Sequence, residues 1–597
     1  MTLGAGPAPA AGAAGVAVPS AGPRARAIRV ALIISQPIVI LVVTWLALHG
    51  WSRTFRAPLV YSGDALFYLA QSKTTIEQGW WWWNPSLAAP LGYHALAFPQ
   101  NSNVDQALVW IASLFTHDVA LVVNVTWLAM LMISGATAAW CLSRLGVSRL
   151  GAWGSGILFA LSPYAFYRNL THFNLATYLI PFAATASVLL SADPNRVRWR
   201  WAGSGALFAG TVLLGFNNTY YAFFAAYLVA CGALIGAIRA RDGRPLLAGA
   251  TCLAALMLAT LLNLLPSVLV WHQHGRPEGL THRVGDAELY GLKLRQLISP
   301  LPDHWFPPFR VWNDKEEAAG FPAETENGIS RLGLIGSIGL VGLLIRLLAR
   351  RGSNRLHQTE RTGDLAGMTM AAVLLGTIGG IGSLFSLLVA PDIRAYNRIT
   401  PFIAFFALAA VALWIDRATP RRRTRSIVWA AVLTVGLLDE VVAATFFNRL
   451  ASPVAAEVRR LNVFVSGLEQ RLPRGARVFQ LPVRPYPLDG GVAAMGTYEH
   501  FKPYLASHTL RWSYPALTPA QVRWEHRVSA LPPGEFVRAL ARDGFSAILV
   551  DRRGYDDHGD GAVQALRSGT SAPGIIAQNS DYVALDVRGE GVPGGAR

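Results

Sequence analysis

The chain is a succession of long apolar runs separated by short polar clusters. A bilayer's hydrocarbon core takes about 20 apolar residues in a helix. Eleven runs approach that length: 28–49, 118–142, 150–166, 172–192, 202–216, 219–238, 246–270, 329–349, 365–389, 398–415 and 426–446. The run 202–216 is short and stops at "GFNNTYY" (215–221), which predicts a broken or half-spanning element. "VDQALVWIASLF" (104–115) is too short to span and reads as an amphipathic helix lying in the interface. Just upstream, "DALFYLAQSKTTIEQG" (64–79) has helix-forming composition and begins with Asp64.

After residue 447 the apolar runs shorten to strand length and charges and prolines rise. "ARVFQLPV" (476–483) and "FSAILVD" (545–551) predict buried strands, and "PGEFVRALARDG" (533–544) a helix leading into the second. "GIIAQ" and "YVALDV" (574–578, 582–587) predict a closing hairpin. The organisation expected is a disordered tail over 1–27, a membrane domain over 28–446 with large loops 50–117 and 271–328, and an α/β domain over 447–597. The fold class is an α-helical polytopic membrane protein of about eleven transmembrane helices with an α/β domain outside the membrane.

Composition agrees with lipid as the main solvent: mean hydropathy is +0.34 and only 15% of the 597 residues are charged. The net charge of +17 alone would suggest nucleic acid. Its placement argues otherwise, because the basic residues cluster between apolar runs at 196–200, 239–244, 349–355 and 420–425. That is the pattern of cytoplasmic loops. With the N-terminus inside, these clusters all fall in the cytoplasm, and the loops 50–117 and 271–328, the turn 390–397 and the C-terminal domain fall outside. Cys141, Cys231 and Cys252 lie within or at the ends of apolar runs without metal-ligand spacing, so no disulfide framework or zinc site is expected.

The candidate chemistry lies on the outer side. Asp64 is either a general base (or a cation ligand) or simply a helix cap. Trp80–Trp83 read chiefly as an interfacial aromatic belt; Tyr93 and His94, in the turn-rich segment that follows, are candidate site walls. Arg394 and Arg398 are four residues apart beside a span end and suit a phosphate by forked hydrogen bonds; snorkelling is the plainer alternative. Asp439 and Glu440 fall within a span, where an acid needs a cavity or a partner, and the two arginines are natural partners. Arg168, His172 and Asn174 stand at the mouth of the span 172–192. Nucleotide-binding loops, HExxH and GxSxG in a plausible context are absent from the sequence.

These segments resemble the GT-C superfamily of integral-membrane glycosyltransferases, and within it the YfhO-like and uncharacterised bacterial branch. The residues that carry the resemblance are "SGDALFYLAQSKTTIEQGWWWWNPSLAAPLGY" (62–93), "ALSPYAFYRNLTHFNLATYLIPF" (160–182), "IRAYNRITPF" (393–402) and the α/β tail. The resemblance implies a bacterial plasma-membrane enzyme that transfers a sugar from a polyprenyl-phosphate donor to an acceptor outside the cytoplasm, with inversion. It makes Asp64 the catalytic base and Arg394 and Arg398 the donor-phosphate ligands. Arg168, His172, Tyr93, His94, Asp439 and Glu440 become candidate substrate contacts. No second acid stands beside Asp64, which favours a metal-independent reaction over a divalent-metal one. The expected partners are the lipid bilayer, the lipid-linked sugar and the acceptor, not nucleic acid. The alternatives are a non-catalytic carrier or flippase-associated protein for lipid-linked sugars, and an assembly scaffold that binds through its outer domain.

Overall fold

The computed structural model describes residues 23–99, 101–192, 201–322, 324–349, 359–487, 490–568 and 573–589. The basic clusters at 196–200 and 350–355, and most of the expected tail, lie outside them. Among the described residues, seven helices are long and apolar enough to cross a membrane, and two shorter apolar ones accompany them.

The first helix, α1 (Pro23–Ala47), starts within the segment expected to be tail. The chain then forms α2 (Asp64–Gln78), a two-residue ladder of β1 (Trp83–Asn84) with β2 (Tyr93–His94), and α3 (Asn103–Ser113). In α3 the pattern is inverted. Asp105 and Gln106 are buried, while Trp110, Ile111, Leu114 and Phe115, at its end, are exposed. A helix lying on lipid with its polar side against protein has this distribution.

α4 (Val119–Arg144) is a full-length span. The run 150–166 is divided into α5 (Arg149–Ala160) and α6 (Pro163–Arg168), because Pro163 fits the first position of a new helix. The run 172–192 is helical in the α form only from α7 (Ile180–Ser191), after a 3-10 segment at Leu170–Leu175. α8 (Trp201–Leu213) is short and closes in a 3-10 turn, Leu214–Phe216, before α9 (Thr219–Ala240) and α10 (Arg244–His274). α7 and α9 pack closely, and a Cβ at Gly236 would collide with the Leu190 carbonyl. Later helices cover Gly333–Leu348, Thr359–Gly376, Ile381–Leu388, Thr400–Ala418 and Arg422–Glu440. The last passes through a 3-10 turn into Thr445–Glu469, which leads to the terminal domain.

That domain carries a sheet of order β4-β3-β5-β7-β6, formed by β3 (Arg477–Leu481), β4 (Arg511–Trp512), β5 (Phe545–Asp551), β6 (Ile575–Gln578) and β7 (Tyr582–Asp586). β4, β3 and β5 are parallel; β5–β7 and β7–β6 are antiparallel. The continuous apolar run of β5 reflects burial on both faces. The outer edge of β4 is covered by the loop between β1 and β2: Trp512 N–H donates to the Ser86 carbonyl at 2.9 Å, and Ala89 N–H donates to the Trp512 carbonyl at 2.9 Å.

Candidate active site

Gly63 sits at φ +56°, a conformation that favours glycine, and launches α2 so that Asp64 is its first residue. Gly63, not Asp64, occupies the cap position. The Asp64 carboxylate instead lies 3.9 Å from His172 Nε2.

His172 and Arg168 come from one turn of chain. α6 ends at Arg168, Asn169 turns the backbone at φ +30°, and its side chain accepts the Thr171 N–H to start the 3-10 segment. Arg168 is buried and both terminal nitrogens of its guanidinium are engaged: Nη1 donates to Glu326 Oε2 at 2.8 Å and Nη2 to Asn397 Oδ1 at 2.7 Å, with the Tyr164 ring beneath it. Arg398 sends Nε to Glu326 Oε1 and Nη2 to Glu326 Oε2, both at 3.2 Å, and lies over the Tyr220 ring. His172 Nε2 is 3.4 Å from the same Oε2. Asn397 Nδ2 donates to Glu326 Oε1 at 3.3 Å. Four side chains from two distant segments thus converge on one carboxylate. Arg394 stays outside this knot, stacked on Tyr290 with its Cζ 4.9 Å from the ring centroid.

Electrostatics follow the geometry. Burial would raise the Glu326 pKa, but Arg398 and Arg168 outweigh it and hold Glu326 well below the usual carboxylate range. Asp64 goes the other way. Burial raises its pKa, Arg398, Arg168 and Arg394 oppose the rise, and Glu326 adds to it. Although its side chain is 49% exposed, the protein around the carboxylate outweighs the three arginines. His172 also lines a small hollow, with Trp127, Ser134, Arg168 and Thr177 among its walls. The Asp64 carboxylate, the cationic knot and the hollow therefore meet around His172.

The other candidates are placed elsewhere. Asp439 is not partnered by Arg394 or Arg398. Its Oδ1 is 3.2 Å from His304 Nε2, and its Oδ2 accepts the Leu334 N–H at 2.7 Å. Phe306 N–H donates to His304 Nδ1, so in the neutral ring Nε2 carries the proton and donates to Asp439. Glu440 is buried nearby, and its Oε2 has no hydrogen-bond partner among the described residues. Tyr93 bonds Tyr486 of the terminal domain, hydroxyl to hydroxyl at 3.0 Å. His94 stacks between Trp83 and His274, where burial first and then His274 push its pKa down to about 4. Asn174 accepts the Tyr68 hydroxyl at 2.7 Å, fixing α2 against the 3-10 segment. Only part of the tryptophan run is free for an interface: Trp81 is in the core and donates to Asn103, whereas Trp82 and Trp83 are about 40% exposed. Gly79 ends α2 in a left-handed turn, and in β1 Trp83 then faces out while Asn84 is buried.

Glu326 and Asn397 escaped the sequence reading. The signal available was charge balance: buried arginines outside the basic loops need an acid, and "TENG" (325–328) supplies one in the loop 271–328.

Helices long and apolar enough to cross a membrane, the loop helices α2 and α3 and a terminal α/β domain packed against α2 make up a fold of the GT-C class. Among solved structures, the chain is similar to ArnT from Cupriavidus metallidurans bound to undecaprenyl phosphate: 12% identity, 95% of this chain and 99% of that one covered, TM-score 0.52. It is similar also to the apo state of that protein, at 14% identity, 96% and 100% coverage and TM-score 0.50. Arabinofuranosyltransferase AftD from Mycobacteria aligns at 15% identity, 88% and 37% coverage and TM-score 0.46. No family model matches the sequence, and no curated protein matches it.

Proposed function

We propose that the protein is a membrane glycosyltransferase that takes a sugar from a polyprenyl-phosphate donor and passes it to an acceptor outside the cytoplasm. The observation that carries this is the Asp64 carboxylate facing His172 beside the Arg168–Arg398 knot, with a pocket adjoining. Helix polarity supports the outer placement. α5 begins at Arg149 and its continuation α6 ends at Arg168; the helix Thr400–Ala418 begins beside Arg398 and ends before the cluster 420–425. Basic clusters favour the cytoplasm, so the knot is outside. The ArnT structure that this fold resembles holds undecaprenyl phosphate, which supports a lipid phosphate by analogy of fold.

In the reaction Asp64 takes the proton of an acceptor hydroxyl, whose oxygen forms a bond to the anomeric carbon as the carbon–oxygen bond to the phosphate breaks on the opposite face. The configuration inverts. The bond electrons leave with the phosphate, and Arg398, Arg168 and Arg394 stabilise the growing charge. Trp82, Trp83 and the apolar side of α3 seat the loop at the leaflet, so the prenyl chain enters from the side.

The test is incubation of the purified protein in lipid nanodiscs with a panel of labelled polyprenyl-phosphate sugars. Sugar transfer or hydrolysis with release of polyprenyl phosphate, lost in Asp64→Asn, is the expected result. No turnover with any donor, together with no polyprenyl-phosphate binding, would sink the proposal.

A further inference from the structure

The arginines that a donor phosphate needs are already engaged. Most of the knot's donors converge on Glu326: Arg398 gives two nitrogens, Arg168 one and Asn397 its amide, with His172 Nε2 3.4 Å away, while the other Arg168 Nη holds Asn397. Beyond these contacts, the knot keeps one buried donor in reserve, because Arg168 Nε has no hydrogen-bond partner among the described residues. The Glu326 side chain itself is 19% exposed.

We propose that this is the seat of the donor's phosphate ester, and that Glu326 holds it only while the donor is absent, so the phosphate binds by exchange with the Glu326 carboxylate. The inference rests on the glycosyltransferase reading above and specifies how its donor is received. Three features support exchange rather than addition. A carboxylate and two oxygens of a phosphate ester offer similar forked acceptors to a guanidinium. A sugar phosphodiester carries one negative charge, as Glu326 does, so the swap leaves the knot's net charge unchanged. Adding a phosphate beside a retained Glu326 would instead place two anions on the same guanidinium groups, with Asp64 a third anion nearby.

The turn that bears Glu326 need not move. The Asn327 side chain accepts the Thr325 N–H at 3.1 Å and donates to the Leu289 carbonyl at 3.3 Å, which pins the backbone. The exchange is a rotation of the glutamate side chain toward its exposed flank. It also prepares release of the product. Transfer of the sugar leaves a phosphate monoester with up to two charges, which would be held tightly by two arginines; the returning carboxylate competes for them.

The experiment is equilibrium binding of undecaprenyl phosphate to the full chain in nanodiscs, beside Glu326→Gln and Glu326→Asp, with thermal melting to confirm that each variant is folded. The Asp variant keeps the charge but is one methylene too short to fill the seat. Removing an internal competitor raises apparent affinity by the reciprocal of the fraction of time the site stood free. Both variants are expected to bind undecaprenyl phosphate more tightly, Gln by about tenfold or more and Asp by roughly threefold. Inorganic phosphate should rank the three proteins in the same order with much weaker affinity. Unchanged or weaker binding by folded Glu326→Asp, with wild type binding normally, overturns the exchange and makes Glu326 a permanent scaffold for the arginines. Inorganic phosphate binding as tightly as the lipid ester would keep the exchange but remove the lipid donor. No binding of either probe by any of the three proteins overturns both proposals.

Discussion

At the scale of single residues, the proposed reaction rests on Asp64 being ionised beside an acceptor. Asp64→Asn keeps the size and removes the base, and is expected to lower kcat by ~10²–10⁴-fold while the protein still folds. Transfer assays and a melting curve on the same preparation check this. The pH profile adds a second readout. A base works when deprotonated, and burial raises the Asp64 pKa above the ordinary value of 3.8. The acid limb of kcat/KM should therefore fall at higher pH than a free aspartate would give; a limb at or below the ordinary value would mean the arginines dominate. Arg398→Ala should raise KM for the lipid donor by roughly 10–100-fold and leave KM for the acceptor nearly unchanged. Asp64, Arg168, His172 and Arg398 were legible in the sequence because each stands out against an apolar or turn-rich background. Glu326 was not. Its partners lie 158 and 72 residues away, and no local periodicity marks an acid whose role is to balance arginines from other segments.

Among the elements, α3 shows what a pattern reveals and what it hides. Its amphipathic run and its approximate ends were legible, since apolar residues at helical spacing in a short segment mark an interfacial helix. Hidden was the anchor on its other side. Buried Asp105 accepts the Tyr178 hydroxyl at 2.7 Å and the Asn217 amide at 3.2 Å, while its Oδ2 lacks a hydrogen-bond partner among the described residues. Burial raises its pKa to about 7, against the pull of those two bonds. For an acid whose folded pKa is raised, the folded state holds the proton longer, so stability is highest below the unfolded pKa and falls as pH rises toward about 7. Asp105→Asn retains an acceptor for Tyr178 and Asn217 and cannot ionise. It should match wild type near pH 4 and exceed it by about 2–4 kcal/mol above pH 7, an order-of-magnitude figure from linkage. Melting temperatures across that range test it; a gap that does not widen with pH would show that the buried acid is already relieved by water. The same contrast runs through the spans. Their apolar cores were readable, and so was the break near Leu214–Phe216, but those at Ser162 and Thr377–Gly380 depend on turns that composition alone does not locate.

For the whole molecule, the question is why a small α/β domain sits against α2. Its strands β3, β5, β6 and β7 were legible as short apolar runs, whereas two-residue β4 was too brief to leave a pattern. The join was not legible at all, because it is made of charges from separate segments. Lys502 is buried and contacts Glu457, on the helix leaving the membrane domain, and Glu499, both at 2.6 Å. Arg553 closes the group against Glu499 at 2.9 Å and Asp551 at 2.6 Å. The Lys502 ammonium lies 5.0 Å from the Tyr61 ring centroid, three residues before Asp64. Farther along α2, Lys73 donates to the Ser507 carbonyl at 2.9 Å, and beyond its end Asn84 of β1 donates to the Tyr504 hydroxyl at 2.8 Å. The domain therefore grips α2 from both sides of its length, and its docking should set the position of the base. Lys502→Met removes one cation and leaves Glu499 buried with Arg553 as its remaining partner, at a cost of about 3–5 kcal/mol. Lower melting temperature, faster proteolysis at the domain junction and loss of transfer should appear together. A variant that melts lower yet transfers sugar at the wild-type rate would show that α2 is held by the membrane helices alone. The same docking fixes topology. If the domain and Asp64 share the outer face, a periplasm-dependent reporter fused after residue 597 is active and a cytoplasm-dependent one is silent. The opposite pattern would place the knot, the pocket and the proposed donor on the wrong side of the bilayer.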